Sequence, residues 1–523
     1  MARVEIYDTT LRDGAQAEGV SFSIEDKLRI TQELDKLGIH YVEGGYAGSN
    51  PKDEEFFRRA QRLNLQNAKL TAFGSTRRAG NSAEEDQSLR YLLEAETKAV
   101  TVVGKSWDLH VTDVLRVSLA ENLEMIEDSV RFLKSNGREV VFDAEHFFDG
   151  YKADAEYAMK TIEAAAEAGA DHIVLCDTRG GMMPLEIKEI FEVAAARIDV
   201  PLGIHAHDDA GMAAANSIIA VQSGAVQVHG TFNGYGERCG NANLCAVIPN
   251  LKLKLGIDCI SDENLSGLTS ISRLISELAN LPHNEKQPYV GRSAFAHKGG
   301  LHTDAVQKNT HTYEHIDPEL VGNERRILVS DQSGKSTILT KLLQDHPDLR
   351  KDSAEVQKIF DELKEAEKNG YQYEGAEGSF DLMKHRVMGT YEKFFELKNF
   401  TVLIDWFKHH EMNSQAIVRV DVGSNTEFQA AEGHGPVDAL SKALRKALKA
   451  FFPQLDSMRL TDFKVRVLNA QSGTEAKVRV LIESSDGEKT WGTVGVSEDI
   501  IEASWEALVD SIEYKLLMER QKG

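Results

Sequence analysis

Cysteines are few and long apolar runs are missing, and both scarcities narrow the class of protein. Four cysteines in 523 residues, at spacings that suit neither a disulfide framework nor a zinc site, predict buried free thiols in a reducing compartment. No run approaches the roughly 18 apolar residues of a transmembrane helix, and the N-terminus shows no apolar signal region. We therefore expect a cytoplasmic protein that does not enter a membrane.

Positive charge is also scarce. The chain has 60 Lys and Arg against 83 Asp and Glu, which gives a formal net charge of -23. Such a surface argues against nucleic acid or an anionic membrane as a general partner. An anionic substrate would then need a local positive pocket, for which Arg12 beside a metal ion is a candidate. The length exceeds what one core can support, so two or three domains are predicted.

The first half of the chain alternates short apolar runs with amphipathic stretches at a regular interval. The stretches 25–37, 122–135, 155–168 and 185–198 are predicted to be helices. Eight strand–helix units within residues 1–255 predict a (β/α)8 barrel, and a doubly wound open sheet is the alternative. The eight predicted strands are 4–7, 40–44, 69–73, 99–103, 139–143, 172–176, 202–205 and 226–231.

Polar residues follow these strands at the point where each one ends. In a (β/α)8 barrel the carboxyl ends of all strands meet on one face, and that face carries the active site. A single polar residue at such a position is more often a cap or part of a turn, but polar residues at the ends of eight successive strands indicate an active site. The residues are Asp8, Arg12 and Asp13; Glu43; Ser75 and Thr76; Lys105; Asp143, Glu145 and His146; Asp177 and Thr178; His205, His207 and Asp208; and His229 and Asn233.

Two of these strand ends predict a metal site. His205 and His207 are two residues apart on one strand, so both imidazoles lie on the same face. Two imidazoles and a carboxylate form a site with open positions that suits a first-row divalent metal or Mg²⁺. We expect Asp13 to supply the carboxylate, and Asn241 in the glycine-rich segment 234–243 to add an amide oxygen.

Beyond the predicted barrel, the residue composition and the predicted secondary structure change twice. Residues 256–345 are interrupted by His, Asn, Gly and Pro, and residues 346–399 are charged and helical. From 400 to 523, predicted strands at 400–404, 416–422, 463–467, 476–482 and 490–496 combine with helices at 436–452 and 500–518. We predict four parts: a barrel (1–255), a subdomain (256–345), a helical linker (346–399) and an α+β domain (400–523).

Several motifs together resemble the α-isopropylmalate/homocitrate/citramalate synthase family over essentially the whole chain. The tail segments 431–439 and 491–497 look like the family's C-terminal regulatory domain. Segments 49–53, 73–78 and 142–150 are most similar to the longer citramalate synthases within it. The motifs are Asp8-Thr9-Thr10-Leu11-Arg12-Asp13-Gly14, His205-x-His207, Gly236-Glu237-Arg238-x-Gly240-Asn241-Ala242 and His297-x-Gly299-Gly300-Leu301-His302.

This resemblance implies a TIM barrel enzyme with an allosteric tail and a divalent metal (Mn²⁺, Mg²⁺, Zn²⁺ or Co²⁺). The implied reaction is a Claisen condensation of acetyl-CoA with pyruvate, followed by hydrolysis to (R)-citramalate and CoA, in isoleucine biosynthesis. Isopropylmalate or homocitrate synthesis from another 2-oxo acid, and an acyl-CoA lyase on the same barrel, are alternatives. A non-catalytic amino-acid sensor is a third.

The resemblance also implies a role for each matching residue. It implies a homodimer in which the segment bearing His302 and Tyr313 comes from the partner subunit, and isoleucine as a feedback effector. The implied metal ligands are Asp13, His205, His207 and Asn241; the catalytic residues are Arg12, Glu145, His302 and Tyr313; and the substrate-binding residues are Arg12, Asp143, Thr178 and Asp304.

Overall fold

The computed structural model describes residues 3–48, 50–328, 338–339, 342, 349–350, 352–405, 413–468, 476–487 and 489–522. The chain forms two compact units. The first unit comprises Met1–Phe295 and His315–Arg325. The second comprises Ala296–Glu314 and Arg326–Gly523. The four-part division expected from the sequence stays a prediction.

Eight parallel strands close into a barrel in the first unit, which confirms the predicted (β/α)8 fold. The strands pair in sequence order, and β8 returns to pair with β1, so that Glu5 lies opposite Gln227 and Asp8 opposite Gly230. The strands are β1 (Glu5–Asp8), β2 (Tyr41–Tyr46), β3 (Lys69–Ser75), β4 (Ala99–Lys105), β5 (Glu139–Glu145), β6 (His172–Asp177), β7 (Leu202–Ala206) and β8 (Gln227–Gly230).

Helices surround the barrel, and their apolar faces pack on the outer side of the strands in one continuous core. They are α1 (Ile24–Leu37), α2 (Pro51–Ala60), α3 (Gln87–Glu94), α4 (Leu119–Ser135), α5 (Phe147–Ala153), α6 (Ala155–Glu167), α7 (Pro184–Arg197), α8 (Ala213–Gln222), α9 (Leu244–Pro249), α10 (Asp262–Leu265) and α11 (Leu268–Leu278). Short 3-10 or π turns occupy Gly14–Gln16, His110–Leu115, Phe232–Gly234, Asn250–Lys254 and Pro318–Val321.

Local sequence explains where α1 begins and ends. Ser23 and Asp26 form a capping box, in which the Ser23 hydroxyl accepts from the Asp26 N–H at 3.2 Å and the Asp26 carboxylate accepts from the Ser23 N–H at 2.8 Å. The helix ends at Gly38, whose φ of 89° is left-handed. The chain then enters β2, whose end forms part of the barrel's carboxyl face.

The second unit contains two separate three-stranded antiparallel sheets and a short parallel pair. β13 was not predicted from the sequence, because Phe428 is the single large apolar residue in Asn425–Gly433 and the segment lacks a regular alternation of apolar and polar residues. The elements are β9 (Ala296–His297), α12 (Gly300–Lys308), β10 (Arg326–Ile327), α13 (Ala354–Lys368), α14 (Glu377–Val387), β11 (Glu396–Asp405), β12 (Asn413–Val422), β13 (Asn425–Gly433), α15 (Pro436–Leu448), β14 (Arg459–Val467), β15 (Val478–Ser485), β16 (Thr490–Ser497) and α16 (Ile500–Lys522), with 3-10 turns at Thr310–Thr312 and Pro453–Ser457.

Each sheet in this unit packs a helix on one face. The β12 and β13 strands contact α15, and β15 and β16 contact α16. Among the helices that the structure describes, none is long and apolar enough to traverse a bilayer.

Candidate active site

A cavity of about 710 Å³ opens at the carboxyl ends of the barrel strands. Its position agrees with the general location of active sites in barrels of this kind. It brings together most of the residues that sequence analysis selected. The predicted residues that line it are Arg12, Asp13, Asp143, Glu145, Thr178, His205 and His207.

Asp13, His205 and His207 converge at this cavity. Asp13 lies in the loop that follows β1, His205 lies on β7, and His207 follows directly after β7. Oδ2 of Asp13 is 3.1 Å from Nε2 of His205 and 3.8 Å from Nε2 of His207. One ligand atom from each residue lies within 4.8 Å of the others, and all three side chains are buried. An ionised carboxylate and two imidazoles at this spacing fit the coordination preferences of a divalent cation.

Asp13 and His207 are held in the protonation states that bind a metal ion, whereas His205 is shifted toward its protonated form. Burial works to raise the pKa of Asp13, but Arg12 and His205 outweigh it and hold that pKa well below its usual range. Burial and the neighbouring His205 lower the pKa of His207 to about 4, so its imidazole is neutral at physiological pH. Burial works to lower the pKa of His205, and the hydrogen bond and charge of Asp13 raise it overall.

Asn241 lies beside the three candidate ligands, but its amide is turned differently from the expectation. Its Nδ2 is 2.8 Å from Oδ2 of Asp13 and 3.1 Å from Nε2 of His205. Its Oδ1 is buried and has no hydrogen-bond partner in the described part of the chain. The expected oxygen ligand therefore requires a half-turn of the amide, which exchanges two atoms of nearly equal size.

Arg12 is held rigidly at the same edge of the cavity. Its Nε donates to Oε2 of Glu43 at 2.6 Å, and its NH1 is 3.4 Å from Oδ1 of Asp13. The guanidinium also lies 3.9 Å from the ring centroid of Phe73. A fixed positive group next to a candidate metal-binding cluster can stabilise negative charge that develops on a bound carbonyl oxygen.

Three further predicted residues line the cavity, namely Glu145, Thr178 and Asp143, and each has a different environment. The Glu145 carboxylate forms an ion pair with Lys105, at the ends of β5 and β4. The Thr178 hydroxyl accepts from the His146 N–H at 2.8 Å, which leaves its own hydrogen available for a ligand. Burial raises the pKa of Asp143 to about 7.

The other predicted residues belong to the second unit. The rings of His302 and Tyr313 stack with their centroids 4.2 Å apart. Asp304 pairs with Lys308 at 2.6 Å, and His297 contacts Glu314 at 3.0 Å. Their participation in the barrel site stays a prediction.

Lys105 and Arg238 also line the cavity, although no role was assigned to them in the sequence analysis. Lys105 appeared there only as one polar strand end among many, and its pairing with Glu145 depends on β4 and β5 being neighbours. Arg238 lines the cavity while it binds Asp209 at 2.8 Å through Nε and the Thr178 carbonyl at 2.8 Å through NH2. The position of Arg238 in the Gly236-Glu237-Arg238 motif was the sequence feature that could have identified it as a site residue.

Comparisons with known proteins first define a class. Residues 3–275 match the family model described as HMGL-like. Residues 289–370 match the model described as homocitrate synthase post-HMGL domain-like, and residues 374–516 match the LeuA allosteric (dimerisation) domain. The chain is thus an HMGL-like barrel protein with a LeuA-type regulatory domain.

Individual relatives match this chain over nearly its full length and identify a narrower family within that class. The chain is 54% identical to the (R)-citramalate synthase of Aquifex aeolicus, over 100% of this chain and 99% of the relative. It is also 54% identical to that of Geobacter sulfurreducens, over 99% and 98%, and 51% identical to that of Synechocystis, over 98% and 96%. The chain belongs to the (R)-citramalate synthase family, which confirms the resemblance seen in the sequence.

Proposed function

We propose that this chain condenses acetyl-CoA with pyruvate and hydrolyses the product thioester to (R)-citramalate and CoA. The observation that carries the proposal is the convergence of Asp13, His205 and His207 beside Arg12 in the barrel cavity. Full-length identity of about half to named (R)-citramalate synthases supports the same reaction.

In this proposal Asp13, His205 and His207 hold a divalent cation, and Asn241 contributes through its amide. The bound cation supplies Lewis-acid polarisation of the 2-oxo carbonyl of pyruvate. The donor set suits Mn²⁺, Zn²⁺ or Co²⁺ and also admits Mg²⁺.

The protein's own residues carry the proton and charge movements. Glu145 accepts a methyl proton from acetyl-CoA, and the resulting carbanion attacks C2 of pyruvate to form the new carbon–carbon bond. Arg12 stabilises the negative charge on the former carbonyl oxygen, which becomes the tertiary hydroxyl on protonation. Water then cleaves the thioester and releases CoA as the thiol.

The pyruvate carboxylate is oriented by Thr178, whose hydroxyl hydrogen is available because its oxygen accepts from a backbone N–H. Asp143 contributes a carboxyl group with a raised pKa to the same wall of the cavity. Its protonated form can donate a hydrogen bond to a substrate oxygen.

We further propose that the enzyme works as a homodimer whose partner supplies His302 and Tyr313 for proton transfer and Asp304 for substrate binding. The match to a dimerisation domain supports the dimer. Exposed apolar side chains on the sheet that contains β11 and β13, among them Leu403, Ile404 and Phe428, provide surface for such an association. Isoleucine is the proposed effector of the regulatory domain, as expected if citramalate leads towards that amino acid.

The decisive test is a thiol-release assay with acetyl-CoA and, separately, pyruvate, 2-oxobutyrate, 2-oxoisovalerate and 2-oxoglutarate. We expect pyruvate to give the highest kcat/KM, (R)-citramalate as product, and loss of turnover with a chelator that added Mn²⁺ reverses. A preference for 2-oxoisovalerate or 2-oxoglutarate would refute the substrate assignment. Turnover that survives exhaustive chelation would refute the metal assignment. Turnover that does not change at saturating isoleucine would refute the effector.

The shared active site is tested by mixing two inactive variants, Glu145→Ala and His302→Ala. If each site combines the two chains, mixed dimers contain one intact site and regain part of the activity. No recovery after verified subunit exchange would contradict the proposal.

A further inference from the structure

His229 is a buried imidazole directly behind one of the proposed metal ligands, and the mechanism above does not use it. It lies on β8 opposite His205 of β7 in the strand register, and its side chain is fully buried. Its Nδ1 is 3.4 Å from Nδ1 of His205. His205 therefore contacts Asp13 through one ring nitrogen and His229 through the other.

Gln227 determines which nitrogen of His229 carries the hydrogen. Nε2 of His229 is 2.9 Å from Oε1 of Gln227, and an amide oxygen only accepts, so this nitrogen donates. A neutral imidazole has one N–H, which leaves Nδ1 of His229 as an acceptor. Nε2 of Gln227 in turn donates to Oε2 of Glu5 at 3.4 Å, and this contact favours the amide orientation that turns its oxygen toward His229.

Tyr7 holds the plane of the His229 ring. The two rings stack with centroids 3.8 Å apart and planes 12° apart. The Tyr7 hydroxyl is itself anchored, at 2.9 Å from Glu43 and 2.6 Å from Thr101. The acceptor nitrogen of His229 is thus kept pointing at His205.

We propose that His229 is a positioning residue that accepts the Nδ1–H of His205 and thereby presents the Nε2 lone pair of His205 to the divalent cation. The inference rests on the metal site of the proposed function. Metal-binding histidines commonly donate their second N–H to a carboxylate or carbonyl, which fixes tautomer and ring orientation. In this barrel a second imidazole, set by Gln227, takes that place.

A different use of the same residues gives the opposite expectation. Ligand atoms of Asp143, His205 and His229 also lie within 4.8 Å of one another. A cation held there would leave Asp13 dispensable for metal binding and would make His229 itself a ligand. The two arrangements therefore differ in which substitution abolishes binding.

The test is calorimetric titration of the chelator-treated full-length protein with Mn²⁺. His229→Asn keeps an acceptor oxygen near the position of Nδ1, whereas His229→Leu removes it from a side chain of comparable size. We expect His229→Asn to stay within about threefold of the parent Kd and His229→Leu to bind about 10- to 100-fold more weakly. Gln227→Leu removes the hydrogen bond that fixes the tautomer of His229, so it should weaken Mn²⁺ binding by a smaller factor. If His229→Leu does not fold, the Kd of Gln227→Leu tests the inference in its place.

Equal affinity of His229→Leu and the parent would overturn the inference, and so would His229→Asn binding as weakly as His229→Leu. Retained binding in Asp13→Asn together with loss in His229→Asn would assign the ion to the Asp143 cluster instead. A parent protein that binds no Mn²⁺ would overturn the proposed metal site itself. Thermal unfolding of the metal-free variants separates these outcomes from a loss of fold.

Discussion

Both ends of the barrel carry charged side chains around a cavity. At the carboxyl end these side chains are buried and converge, whereas at the amino end they are paired and partly exposed. At the amino ends of the strands, a cavity of about 480 Å³ is lined by groups of opposite charge that pair with each other. Lys69 binds Glu139 at 2.7 Å and Lys134 binds Asp171 at 2.7 Å, with every one of these side chains at least 24% exposed. Their charges are neutralised locally and screened by water.

At the carboxyl ends, the polar groups instead aim at a common point and are buried. Asp13, His205 and His207 are 4%, 5% and 7% exposed, and each directs an atom into the same small volume. Burial without complete pairing costs free energy, which a bound ion or substrate can repay. Convergence and burial, rather than cavity size or the number of charges, therefore distinguish the carboxyl end from the amino end.

The largest expected effect comes from Asp13→Asn, which removes the only carboxylate among the three proposed ligands. Lewis-acid activation is worth several kcal/mol, so we expect kcat/KM to fall by about 1,000-fold or more. The matched control at the other end, Asp171→Asn, should keep kcat/KM within about twofold, because the pair with Lys134 is partly exposed and an amide oxygen can still accept from the Val140 N–H. If kcat/KM, measured by thiol release, falls by a similar factor in both variants, the two ends of the barrel do not differ in function as proposed.

Arg12→Lys should have the next largest effect. Lysine keeps the charge but loses the fork that binds Glu43 and Asp13, so we expect kcat to fall by about 100-fold while the fold is retained. Arg138→Lys is the control, because Arg138 donates to the Thr97 and Leu93 carbonyls at the opposite end of the barrel. Steady-state kinetics with both substrates and circular dichroism of each variant make the comparison.

Thr178→Val should raise KM for pyruvate by about tenfold, the value of one hydrogen bond of about 1.4 kcal/mol, with a smaller change in kcat. Thr178→Ser keeps the hydroxyl and should stay close to the parent. If the valine and serine variants have the same KM for pyruvate, the hydroxyl does not bind the carboxylate.

The smallest effect is expected for Lys69→Met at the amino end. It breaks a partly exposed ion pair with Glu139, so the free energy of unfolding should fall by less than about 1 kcal/mol and turnover should not change. Denaturant unfolding and the thiol-release assay measure both quantities. A large loss of turnover would assign a function to the amino-end cavity.

Much of the site was predictable because the relevant signals are local. His205 and His207 lie two residues apart at the end of β7, and Asp13 lies in the loop that follows β1, so the barrel topology predicts that they meet on its carboxyl face. The Lys105–Glu145 pair and the orientation of the Asn241 amide were not predictable. They depend on which side chains face each other across neighbouring strands and on hydrogen bonds between distant segments.

The order of the eight barrel strands and the candidate ligand types beyond their ends were determined by the sequence alone, because hydrophobic periodicity and residue chemistry are properties of short stretches. The stacking of Tyr7 on His229, and the contacts from His229 to His205 and Gln227, were decided only by tertiary structure. Closing the barrel brings β1, β7 and β8 side by side, although β1 lies about 200 residues from the other two along the chain. Only that closure gives an imidazole inside the barrel a defined partner for each of its nitrogens.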